Sequence, residues 1–146
     1  MATTKSFTSL GQSKKLAEFL PLESADMYYQ YVLPKSDKIK HNPEIGNPIN
    51  ALEWYNKGYT TSGKDPITLD EYCVPCWSLA ALRNLLPTAI KPNKDIYLFE
   101  SHNTFDNSWV YRYYNEDDTS YLYCKNTNEV DACVEMIIKL HELNLL

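Results

Sequence analysis

The chain has 146 residues, 44 % of them hydrophobic, and a net charge of −5. It is long enough to bury a core as one domain and too apolar for disorder. An acidic chain without a basic stripe excludes a nucleic-acid partner, whose affinity comes mostly from phosphate neutralisation, and an anionic membrane surface.

The N-terminal MATTKSFTSLGQSKK has no apolar centre of the kind a signal peptide needs. No run reaches the roughly 18 apolar residues of a membrane span. The expectation is a cytoplasmic protein whose four cysteines stay reduced. SLGQSKKLAEFLP predicts a first helix, with Ser9 as cap, Gln12 three residues on as its capping-box partner, and Pro21 as the stop. Leu10, Leu16, Ala17 and Leu20 would share its inner face. ADMYYQYVL, residues 25–33, alternates as a strand does.

From Pro34 to about Asp70 the composition changes, with four of the eight prolines and three of the four glycines. This reads as a long loop or insertion, interrupted by a short helix near 48–57. Next, CVPCWSLAALRNLLP predicts a helix opening at the Cys73/Cys76 pair, with a stripe of Leu79, Leu82, Leu85 and Leu86 closed by Pro87. DIYLFESH (95–102), SWVYRYYN (108–115) and SYLYCKN (120–126) are three short strands with polar links, an antiparallel meander. NEDDTS at 115–120 is an acidic hairpin turn. The last element, NEVDACVEMIIKLHELNLL, is a helix capped by Asn128, with Asp131 at its third position and Val130, Cys133, Ile137 and Leu140 inward. The sum is an α+β domain spanning 1–146: an antiparallel sheet of about four strands, three main helices mostly on one face, two layers.

The thiol pair admits four chemistries. At a helix N-terminus Cys76 would be stabilised as thiolate, and CVPCW looks like the segment around the nucleophile of papain-like proteases. The remaining chain is too short for their distant histidine, and Asp70 stands where their oxyanion glutamine would be. That leaves a small thiol hydrolase with His102 or His141 as partner. A redox pair would need a preceding buried strand, and a zinc site through Cys73 and Cys76 lacks its second close pair. The simplest reading is that both thiols pack as small hydrophobes beside Trp77, with no metal and no cofactor.

The meander carries the stronger signal. Tyr97, Phe99, Trp109, Tyr111, Tyr113, Tyr121 and Tyr123 would fall on one face, and Ile96, Leu98, Val110, Leu122 and Cys124 on the other. Either the seven aromatics form a binding or self-association surface, or they are the core and Glu100, Arg112 and Tyr114 mark the wet side.

LPLESADMYYQY, VPCWSLAALRNLLP and EVDACVEMIIKLHELNLL together resemble a family of small hypothetical proteins of gut Bacteroidetes genomes and their prophages or mobile elements. The resemblance omits 35–70 and implies an intracellular accessory protein without a transferable catalytic residue. The expected function is therefore non-enzymatic, through contact with a protein partner or a second copy.

Overall fold

The computed structural model describes residues 5–32, 44–45, 49–50 and 73–146. Its contacts gather into two compact units: Ser9–Ser78, and the N-terminal residues to Thr8 with Leu79–Leu146.

In the first unit, α1 spans Leu10–Ala17. The Ser9 hydroxyl accepts from the Gln12 amide at 3.2 Å, and the Gln12 side chain accepts from the Ser9 amide at 3.0 Å. This is the capping box that the spacing foretells. Helical geometry stops at Ala17, before the expected Pro21, and a 3₁₀ turn follows at Leu22–Ser24. Strand β1, Met27–Val32, is the spine of a small antiparallel sheet. It pairs with β2 (Glu44–Ile45), β3 (Ile49–Asn50) and β4 (Cys73–Cys76). β3 and β4 both meet Met27 and Tyr28, so they flank opposite edges of β1. The helix expected near 48–57 lies outside the described residues, save at Ile49 and Asn50, which are strand. α1 rests on β4. The buried residues include Leu16, Leu20, Tyr28, Val74, Cys76 and Trp77.

The second unit holds α2 (Leu79–Leu85), four strands and α3 (Glu129–Glu142). The strands are β5 (Ala89–Ile90), β6 (Tyr97–Asn103), β7 (Trp109–Tyr114) and β8 (Ser120–Asn126), paired antiparallel in chain order. The meander is as read from sequence. The fold is α+β, but with two antiparallel sheets: the fourth strand of this one is the short β5, while β1 belongs to the other. α3 lies against β7, β8 and α2. Asn128 caps α3, its side chain accepting from the Asp131 amide at 3.2 Å. Val130, Cys133, Ile137 and Leu140 are all buried, as their spacing requires.

Candidate functional site

The thiol stretch is built differently from the sequence expectation. Cys73–Cys76 is a strand: Cys76 sits opposite Met27, Pro75 opposite Tyr28 and Val74 opposite Tyr29. Helix α2 begins only at Leu79, so Cys76 does not open it. Cys76 is fully buried. Its neighbour is Tyr29, whose hydroxyl is pushed up to about 12, first by burial and then by the thiol beside it. Trp77 is also sealed, and its indole N–H donates to the Ser24 hydroxyl at 2.9 Å. Asp26 accepts from both the amide and the hydroxyl of Ser78. Among the described residues no group of three or more His, Cys, Asp or Glu could hold a metal ion.

The aromatic face divides. Register places Phe99 opposite Tyr113 and Tyr113 opposite Leu122; Ser101, Tyr111 and Cys124 form the next row. Directly paired residues share a face, so Leu122 and Cys124 join the β6 and β7 aromatics, and Tyr123 points the other way. The expected phase of β8 is thus shifted by one residue. Tyr97, Tyr111 and Tyr113 are buried, Phe99 and Trp109 half-buried, Tyr121 and Tyr123 exposed. An irregularity between Tyr113 and Tyr114 lets the Tyr121 ring tilt against Tyr97, centroids 5.1 Å apart. Phe99 meets Tyr111 edge-on at 5.5 Å and Tyr113 at 5.4 Å.

A polar knot closes the helical side. Tyr111 donates its hydroxyl to Glu129 Oε1 at 2.7 Å. Arg83 donates to the same oxygen at 2.7 Å and to the Tyr111 hydroxyl at 2.8 Å. Burial, then the Glu129 carboxylate, drives the Tyr111 hydroxyl far above its ordinary range. Cys133 is pushed up to about 12 and Cys124 to about 11, chiefly by burial. These thiols are the reverse of activated nucleophiles.

The outward face carries charge in ordered pairs. Arg112 Nε donates to Glu100 Oε2 at 2.6 Å, its Nη2 lies 2.9 Å from Asp118, and its guanidinium covers the Tyr114 ring at 4.7 Å. His102 Nδ1 lies 2.5 Å from the other Glu100 oxygen. Burial would raise the Glu100 carboxyl, but Arg112 and His102 outweigh it and hold it below its ordinary value. Both of its acid–base partners are thus occupied within the sheet. His102 is accounted for by this pairing. His141 lies exposed near the end of α3. A shallow depression of about 340 Å³, lined by Lys94, Asp95, Ile96, Asn115, Glu116 and Asp117, lies by the β7–β8 turn.

The β6–β7 turn shows a residue that the sequence reading passed over. Phe105 stands at its tip, fully exposed. The turn beneath it is fixed. The Thr104 amide donates to the Ser108 carbonyl at 2.7 Å, and the Ser108 amide to the Thr104 hydroxyl at 3.0 Å. Asp106 accepts from the Thr104 hydroxyl and from Lys125 at 3.1 Å, which hold its carboxyl at about 2. The signal was a lone aromatic among turn formers, HNTFDNS.

No protein-family model matches the chain, and neither a curated protein nor a solved structure does.

Proposed function

We propose that the protein acts without catalysis, by protein–protein contact. The observation that carries this reading is Phe105: a complete aromatic ring held in water by a turn that a network of hydrogen bonds makes rigid. Presenting an apolar ring on a preorganised support lowers the ordering cost of association, and aromatic anchors dominate interface energetics. Leu98 and Tyr123, each about half exposed on the outward sheet face, add apolar area beside the paired charges of Arg112 and Glu100. The three segments that resemble small proteins of Bacteroidetes and their mobile elements favour a cytoplasmic, phage-related accessory role. Among the described residues no helix is long and apolar enough to cross a membrane.

The test is a photoreactive phenylalanine analogue in place of Phe105, irradiated in cells that express the full chain. Discrete adducts of higher mass are expected, and they should be lost when Leu98→Ser and Tyr123→Ser are added. Only uncross-linked chain would overturn the reading. Phe105→Ser itself should leave folding stability within about 0.5 kcal/mol of the parent, as measured by urea denaturation, because the ring rests on nothing.

A further inference from the structure

The β6–β7 hairpin closes between Thr104 and Ser108, where the Thr104 amide donates to the Ser108 carbonyl at 2.7 Å. Phe105, Asp106 and Asn107 form the loop. The Asn107 amide donates to the Thr104 carbonyl at 3.0 Å, which makes a turn with Phe105 in its second place. Asn107 then takes a left-handed conformation, φ 61°, the bulge that fits such a turn to twisted strands. Because Asn107 takes the Thr104 carbonyl, the Ser108 amide turns to the Thr104 side chain and donates to its hydroxyl at 3.0 Å. Ser108 is only 6 % exposed, so its amide needs that acceptor. The hydroxyl donates in turn to the Asp106 carboxylate. It also lies 3.2 Å from the Ser108 carbonyl, but its single proton favours the charged acceptor. Amide, carbonyl and hydroxyl of Thr104 are thus all engaged by Asp106, Asn107 and Ser108, the residues that follow Phe105.

We propose that Thr104 is the positioning residue of the contact site, its hydroxyl holding the Phe105 ring in the pose that a partner receives. The proposal rests on the contact reading above and assigns the control of that anchor to one side chain. The hydroxyl ties the loop together across the bulge, to Asp106 on one side of Asn107 and to Ser108 on the other. The 3.1 Å pair between Asp106 and Lys125 is the competing support, but its side chains are 59 % and 43 % exposed. Ion pairs that open to water contribute little, whereas the Ser108 amide is buried and loses its acceptor with the hydroxyl. Turn chemistry does not call for an aromatic ring in the second place of such a turn, where proline is the favoured residue. The ring is therefore the one part of the loop that the loop's own folding does not use. A loop that must first be ordered on docking binds more weakly than one already fixed.

Two substitutions in the full chain separate the hydroxyl from the shape of the side chain. Thr104→Val keeps the shape and removes the hydroxyl; Thr104→Ser keeps the hydroxyl and removes the methyl. In the valine variant the Ser108 amide should exchange its hydrogen about tenfold faster, while the amides of α3 stay as slow as in the parent. Adduct yield from the photoreactive analogue at position 105 should fall about fivefold or more. The serine variant should match the parent in both readouts, and Lys125→Met should stay within about twofold of it. Adducts and Ser108 exchange unchanged by Thr104→Val overturn the inference and leave the contact reading standing. A serine variant as impaired as valine, or Lys125→Met as damaging, also overturns it. If the parent turn itself gives no adduct, the contact reading falls and this inference falls with it.

Discussion

At the scale of single residues, what decides the chemistry is who holds each polar group. Tyr111 is buried, yet its hydroxyl both donates to Glu129 and accepts from Arg83. A buried polar group left without such partners costs about 1–3 kcal/mol. Tyr111→Phe should therefore lower stability by about 1–2 kcal/mol, read as a shift of the urea midpoint at unchanged slope. The loss is moderate because the 2.7 Å contact between Arg83 and Glu129 survives. The same logic bears on Cys76, the nucleophile that CVPCW suggests. Its thiol is sealed, lies on a strand, and sits beside the Tyr29 phenol.

At the scale of elements, the parts governed by local chemistry were legible in the sequence. The caps of α1 and α3 are each written in a side chain three residues from its partner, and the inner face of α3 follows from its 3.6-residue period. Asn128→Ala should cost about 1 kcal/mol in thermal or urea unfolding, since the Asp131 amide loses its acceptor. Three things were not legible. β4 was absorbed into the following helix because a proline inside four residues does not read as strand; it is tolerated because β4 meets β1 alone among the described strands. β5, two residues after Pro87–Thr88, is too short to show a period. The face of Tyr121 and Tyr123 depended on the register to β7 and its irregularity, which no single-strand pattern contains. That is why five of the seven aromatics singled out turn out buried or half-buried while Leu98 and Phe105 stand in water.

At the scale of the whole molecule, several buried acids share one direction of shift. Cys124 rises to about 11, Cys133 to about 12 and Tyr29 to about 12, with Tyr111 and Tyr113 higher still, burial being the first cause in each. The folded chain therefore keeps protons that the unfolded chain releases from about 9 for the thiols and 10 for the phenols. Their contribution is complete below these values and is lost as pH climbs through the folded ones. Urea midpoints should hold level up to about pH 8.5 and then fall between about 9 and 12, at roughly 1.4 kcal/mol per pH unit for each proton involved. A midpoint that rose over that interval would contradict the burial of these groups.

The knot of Arg83, Tyr111 and Glu129 also bears on time. A seven-residue helix such as α2 would melt within a microsecond if left to itself. Its arginine is moored to a carboxylate 46 positions away on another helix, and to a phenol on the strand between them. The persistence of α2 is therefore inherited from the longer α3, and the two should come apart as one event rather than in sequence.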